Sequence, residues 1–303
     1  MALQKEVWIQ DIQETLHQGS EFILQGTDHS SFVSNKVVHV PQAGSMSAIE
    51  KNRSSLPATI SQRSDTELTY NLNDYTTDPV LITDLDELQT SYMKRQSVLR
   101  QHLDAMNERI GNEVAYEWAG SGSTDLVLRT TGGATSVLPN ATATGTRKLI
   151  TKEDISRMAR KLDLDNAPKN DRILLLPTSM YYELFSTDAL IRNDFGRALN
   201  MVNGQATEIF GMKVFVRPQV VLFNNTTGKK AVGSADAVTD CYGAIAFQKN
   251  AVAQALGSIK VFANEDLPEY YGSVFSAQVF HGAKMLRSDN KGIVSIAQGY
   301  VAP

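Results

Sequence analysis

Apolar positions along the chain fall into blocks of different period. Residues 1–35 carry only scattered ones. Val7, Ile9, Ile12 and Leu16 fit a short helix lying on a surface, and Phe22, Ile23 and Phe32 stand alone among glycine, serine and aspartate. That spacing predicts an arm with anchors rather than a core.

Residues 36–83 behave differently. Val37, Val38 and Val40 open the stretch, and Leu68, Tyr70 and Leu72 close it on alternate positions, which predicts two paired strands. The second limb is expected to run through Tyr75 and to end by Pro79. Between Gln42 and Glu67 the apolar side chains are Ala43, Met46, Ala48, Ile49, Leu56, Ala58 and Ile60. So polar an excursion buries little within its own domain.

Residues 84–119 form the clearest element. Leu85, Leu88, Tyr92, Leu99, Leu103, Met106, Ile110 and Val114 recur three, four or seven apart, one apolar stripe of a helix. Thr83 or Asp84 suits its start, and Asp84, Asp86 and Glu87 complement the positive end. At 1.5 Å per residue it would span roughly 50 Å, far longer than a usual globular helix, and needs a sheet or partner alongside.

Beyond it, residues 120–146 are rich in Gly, Ser and Thr and predict a mobile loop with a short strand at Leu126 and Leu128. From Arg147 the pattern becomes compact α/β. Thr151 and Asp154 resemble a capping box before the face Ile155, Met158, Ala159 and Leu162. Ile173–Leu176 reads as a buried strand. Pro177 and Thr178 open a helix with Tyr181, Tyr182, Leu184 and Phe185. Met212, Val214 and Val216 alternate as a strand, Ala244–Phe247 is another, and Asn250 caps a short helix through Leu256. The chain from Ile259 is mostly strand, turning at residues 288–292.

Composition is that of an ordinary globular chain of 303 residues, 42% hydrophobic and 20% charged. The net charge of −4 argues against a dedicated nucleic-acid binder. A single cysteine, Cys241, excludes an internal disulfide framework and fits a reducing compartment. The first residues have no continuous apolar region like that of a signal peptide, and no apolar run approaches the ~20 residues of a membrane helix.

The chemical motifs are negative. The histidines at 17, 29, 39, 102 and 281 show no i, i+4 pair, and with one cysteine no zinc set is visible. There is no G-x-S-x-G elbow, dinucleotide fingerprint or P-loop. Glu265, Asp266 and Glu269 in NEDLPEYYG suggest a cation site, but solvated or salt-bridged loop carboxylates are the commoner reading of such a group. No cofactor or metal is expected.

Several phrases, in order, resemble those of the major capsid proteins of tailed double-stranded DNA bacteriophages, a shell fold shared with encapsulins and herpesvirus capsid floors. KVVHVPQAG and ISQRSDTELTYNLNDYTTDPVLITD resemble the start and return of that family's extended loop. LDELQTSYMKRQSVL and EVAYEWA resemble the two ends of its spine helix, and KLDLDNAPKNDRILLLPTSMYYEL resembles the opening of its axial domain. The run from AFQKNAV to GIVSI resembles its C-terminal half-domain.

The resemblance implies an α+β chain in four parts: an N-terminal arm at 1–35, an extended β-hairpin loop at 36–83, a peripheral domain with the spine helix at 84–146 and 258–303, and an α/β axial domain at 147–257. It implies a structural, non-catalytic coat protein that self-assembles into hexamers and pentamers of an icosahedral head around double-stranded DNA, made in the bacterial host cytoplasm and residing in the virion. Portal and decoration proteins are implied partners. DNA would be touched weakly and without specificity, and no membrane is involved. Candidate subunit-interface residues are Trp8, Ile12 and Phe32 in the arm, and Met46, Ile49, Arg53, Leu56, Ile60, Arg63, Asp65 and Glu67 in the loop. The chain reaches the spine helix by residue 84, so a separate scaffolding protein, or none, is expected.

An encapsulin-like nanocompartment shell is the nearest alternative, and a soluble α/β enzyme a more distant one. Some relatives cross-link subunits through a Lys–Asn isopeptide, but nothing marks Lys36, Lys51 or Asn52 as reactive. Assembled particles should therefore run as a single band of subunit mass on a denaturing gel; a ladder of covalent multimers would overturn this.

Overall fold

The computed structural model describes residues 21–44, 65–83, 93–187 and 208–302, with scattered positions of 49–63 and two short strands at 199–200 and 205–206. The predicted helix at residues 7–16 and the helix start at residues 84–92 lie outside the described residues.

The apolar run at Ile173–Leu176 needs burial on both faces, and it finds it. Strand Arg172–Pro177 lies inside an eight-stranded mixed sheet, parallel to Met212–Arg217 and antiparallel to Cys241–Gln248. Ile293–Ala297 pairs with the other edge of Cys241–Gln248, and Val127–Arg129 runs parallel beyond it. Side chains alternate between two cores. Ile173, Leu175, Ile245, Phe247 and Ile293 face one. Leu174, Leu176, Ala244, Ala246, Val294 and Ile296 face the other.

The second core is closed by helix α2 (Lys152–Leu164), through Ile155, Met158 and Leu162, and by α3 (Thr178–Thr187), through Met180, Tyr181 and Leu184. For this numbering α1 is the long helix Met93–Trp118. The predicted capping box is present: the Thr151 side chain accepts from the Asp154 N–H, and the Asp154 carboxylate accepts from the Thr151 N–H at 3.0 Å. Asp154 is fully buried, yet it also takes the Thr131 N–H and hydroxyl and pairs with Arg157. One carboxylate thus fixes the start of α2 and residue 131.

A second sheet is built on a long ribbon, Val252–Leu267 paired with Gly272–Met285. Thr27–Asp28 adds to one edge, while Asn73–Thr76 and Val80–Thr83 share the other. The helix predicted after Asn250 is instead a 3-10 turn, Lys249–Ala251, leading straight into this ribbon. Local helix propensity in VAQAL yields to two-sided burial: Val252 enters the core against α1, while Ala253 and Ala255 enter a separate core beneath the loop.

Helix α1 has 26 described residues, ~39 Å at 1.5 Å each, and packs its Met106, Ile110, Val114 and Trp118 stripe into the first core. Its last turn is held at both sides. The Lys229 ammonium donates to the Tyr116 carbonyl at 2.7 Å and lies over the Tyr116 ring, a cation at the negative helix end.

Residues 120–146 are more ordered than their Gly/Ser/Thr content predicts. Ala134–Thr135 and Tyr300–Val301 flank Thr146–Lys148 in a small sheet. Arg147, fully buried, donates to the carbonyls of Asp240, Val238 and Thr144. The Asp240 carboxylate in turn accepts from Asn140 and pairs with Lys230. This polar network joins sequence segments about 90 residues apart, a separation at which no local sequence pattern announces the pairing.

The eight-stranded sheet also takes in Val127–Arg129 and Ile293–Ala297, two stretches that the sequence reading placed in the peripheral domain.

Trp118 is fully buried, with Nε1 donating to the Ala253 carbonyl at 3.0 Å and its ring meeting Phe22 and Phe247. Trp118→Ala should destabilise the subunit by about 3–5 kcal/mol, read by denaturant unfolding. Trp118→Phe, which keeps part of the packing and loses the hydrogen bond, should fall between the two.

Candidate assembly interface

The valines and the leucine–tyrosine alternation do pair as expected. Strands Val37–Gln42 and Thr66–Asn71 are antiparallel, with Val38 opposite Tyr70 and Val40 opposite Leu68. The second limb, however, ends at Asn71 rather than Tyr75. Leu72 turns into the core, and Asn73–Thr76 joins the ribbon instead. A two-residue turn, Asn35–Lys36 with φ of 48° and 66°, joins Val33–Ser34 to the hairpin.

The hairpin stands on a small core of Val38, Tyr70, Leu72, Ala253, Ala255 and Phe280. Close approach requires small residues on the ribbon: a Cβ at Gly257 would come within 2.7 Å of Leu72, and one at Gly282 within 2.9 Å of the Asn71 carbonyl. The Gln42 side chain donates to the Leu286 carbonyl, and Lys36 lies 4.2 Å from the centroid of the Phe280 ring. His29 reaches in from the arm, with its ring beside Tyr70 and its backbone N–H on the Gln254 carbonyl. None of these root contacts is signalled in the sequence, because their partners lie up to 244 residues away.

Beyond the root, the described loop residues bury almost nothing. Ile49 is 95%, Leu56 84% and Ile60 97% exposed. Arg53 is exposed as well. Arg63, Asp65 and Glu67 pair as follows. Arg63 pairs with Asp65 at 2.6 Å, and Asp65 also accepts the Gly44 N–H, tying the two limbs together. The Arg63 hydrogen bonds hold the Asp65 carboxyl below its ordinary value. Glu67 meets His39 across the hairpin at 2.5 Å. All four side chains are about half exposed, so these links fix the shape of the limbs more than they stabilise the fold. Phe32 is 64% exposed, its ring edge against His29. Trp8, Ile12 and Met46 lie outside the described residues.

Other chemistry does not gather. Among the described residues no group of three or more His, Cys, Asp or Glu is placed to hold a metal ion. Cys241 is buried, its thiol pushed up by desolvation. Glu183, buried at α3 and raised by desolvation, accepts the Thr135 hydroxyl at 2.8 Å and so seats α3 on the small sheet. The groove between α1 and residues 219–236 has mixed charge, with Glu108, Arg109, Lys230 and Asp236 along it, and Arg109 paired to Glu113 at 2.8 Å.

In chain order the elements are an extended hairpin, a long helix, an α/β sheet and a ribbon-based sheet, and solved phage capsid subunits share this fold. The capsid of cyanophage P-SCSP1u superposes with a TM-score of 0.64 at 20% identity, covering 92% of this chain and 86% of that one. The capsid subunit of cyanophage Pam1 gives 0.62 at 11% identity over 92% and 89%, and Mycobacterium phage Che8 gives 0.60 at 17% over 87% and 85%. No curated protein matches in sequence. Residues 12–298 match the phage capsid protein family, and the chain belongs to that family. It is a structural coat protein whose place is the virion capsid. The cellular nanocompartment reading is not favoured.

The exposed apolar loop residues contribute nothing to the fold of a single chain. Replacing Ile49, Leu56 and Ile60 together by serine should leave unfolding of the unassembled subunit within about 0.5 kcal/mol of wild type, measured by denaturant titration.

Proposed function

We propose that this chain forms hexamers and pentamers that close into an icosahedral head around double-stranded DNA, each copy laying its extended loop across a neighbour. The near-complete exposure of Ile49, Leu56 and Ile60 on an otherwise polar loop carries this reading. Interfaces between permanently associated subunits bury ~2,000–5,000 Å², and strand and loop addition satisfies groups that a lone hairpin leaves open. Phe32, Arg53 and the outward faces of Arg63, Asp65 and Glu67 belong to the same surface, and we assign Trp8, Ile12 and Met46 to it from the sequence.

The four-part division is retained: arm 1–35, loop 36–83, peripheral domain 84–146 with 258–303, axial domain 147–257. The shared sheet argues for moving residues 127–129 and 293–297 to the axial side. The role is structural, without catalysis. A net charge of −4 supports weak, non-specific DNA contact, since a strongly basic lining would bind phosphate tightly. Assembly in the host cytoplasm, with a separate scaffolding protein, a portal and decoration proteins, completes the reading.

Deletion of residues 42–60, or the triple serine variant, should give a folded subunit that forms no closed particles in electron micrographs, while wild type does. Normal particles from either variant would remove the loop from the interface. A discrete small oligomer of wild type with a ligand-dependent Tm would favour the enzyme reading instead.

A further inference from the structure

Three parts of the chain meet where the extended loop leaves the ribbon, and a histidine sits between them. His29 is buried. Its Nδ1 lies 3.4 Å from the Tyr70 hydroxyl of the hairpin, with the two rings 6.5 Å apart and inclined by 35°. The Phe32 ring stands edge-on at 6.0 Å. The His29 backbone N–H donates to the Gln254 carbonyl at 2.8 Å, fastening the arm to the ribbon beside the Thr27–Ala253 and Asp28–Gln254 pairs.

The charged and titratable groups around this ring are few. Asp28 comes from its own segment, Lys36 and Tyr70 from the hairpin, and His281 from the ribbon. Each is already engaged. Asp28 Oδ1 accepts from the Ser30 N–H and hydroxyl, and Lys36 lies over Phe280. His281 Nε2 is 3.1 Å from the Gln254 amide oxygen. The Tyr70 hydroxyl is held neutral by burial. Among the described residues no carboxylate hydrogen-bonds the His29 ring. A charged imidazole in this pocket loses hydration and meets a phenol and the edge of a phenyl ring, with the Asp28 carboxylate offsetting only part of that loss.

We propose that His29 is a proton-operated latch on the extended loop: neutral, it closes the root against Tyr70; protonated, it leaves the pocket and unfastens the hairpin from the ribbon. The direction follows from linkage. Burial lowers the affinity of the closed-state ring for a proton, with Asp28 offsetting only part of this. An opened root returns the ring to its ordinary value of 6.5. The opened form therefore binds more protons, and closure weakens as pH falls below that value. The latch operates within one chain, so its test stands apart from where the loop docks on a neighbour.

Amide hydrogen exchange of the purified full chain reads it. After correction for intrinsic exchange, protection of residues 66–72 and 252–257 should drop between pH 7.5 and 5.5, by at most about tenfold, while residues 155–162 of α2 stay unchanged. His29→Gln, neutral at both pH values, should show no such drop. If glutamine alone opens the root at pH 7.5, His29→Phe, which refills the pocket, supplies the pH-insensitive arm. Unchanged protection in wild type, or an equal drop in the pH-insensitive variant, overturns the latch.

Discussion

The architecture turns on one corner. Strand Cys241–Gln248 of the central sheet passes through the 3-10 turn at Lys249–Ala251 directly into the ribbon, so two sheets of different direction share a continuous chain. Such a corner leaves a wedge that neither sheet fills. Trp118 fills it, with Phe247 on one side at 5.0 Å, Phe22 of the arm edge-on at 5.8 Å, and the Ala253 carbonyl on its indole nitrogen. A long helix is marginal alone, and a single stripe gains stability only from what it packs against. By ending in this wedge, α1 becomes the strut that sets how the ribbon and the central sheet meet. Gly26 belongs to the same constraint: a Cβ there would come within 2.8 Å of the Trp118 ring.

What was legible in the sequence followed period and local chemistry. The stripe through Ile110 and Val114, the two-faced run at Ile173–Leu176 and the Thr151–Asp154 box each depend on residues within a turn or a strand of one another. What was not legible depends on distant partners. Nothing near Asn250 says that Val252 and Ala253 will be claimed by opposite cores, so alanine-rich local sequence pointed to helix. Arg147 is an arginine in a polar stretch until three carbonyls, two of them about 90 residues away, surround it. The loop candidates differ in kind. Ile49, Leu56 and Ile60 stand out in the sequence because a loop with so few apolar residues is anomalous for a monomer, and they are exposed, whereas the root at His29, Tyr70 and Gln254 lacks any such anomaly.

The two halves of the loop obey opposite rules. Its root is held by a six-residue core, by Gln42 on Leu286 and by Lys36 over Phe280. Its outer part has short-range polar ties, Arg63 to Asp65 and Asp65 to Gly44, with apolar side chains directed at solvent. Ordering backbone costs about 1–2 kcal/mol per residue, and isolated surface ion pairs return little of it. In the proposed assembly, a neighbouring subunit supplies burial for this outer part, and many weak copies of the contact, closed by symmetry, would stabilise a shell that no single subunit stabilises alone.

The root and the corner are also one structure. Ala253 gives its carbonyl to Trp118 on one side of the ribbon and its methyl group to Val38 and Tyr70 on the other. The wall between the spine helix and the loop is therefore a single strand thick, and it is built from the smallest residues available, Ala253, Ala255 and Gly257. Larger side chains would hold the hairpin away from the ribbon and leave Leu72 and Phe280 without contact. Small residues bring the loop close enough to be positioned by the same strand that positions α1. The geometry of the segment that reaches outward is thereby tied to the core, although its tip has no core of its own.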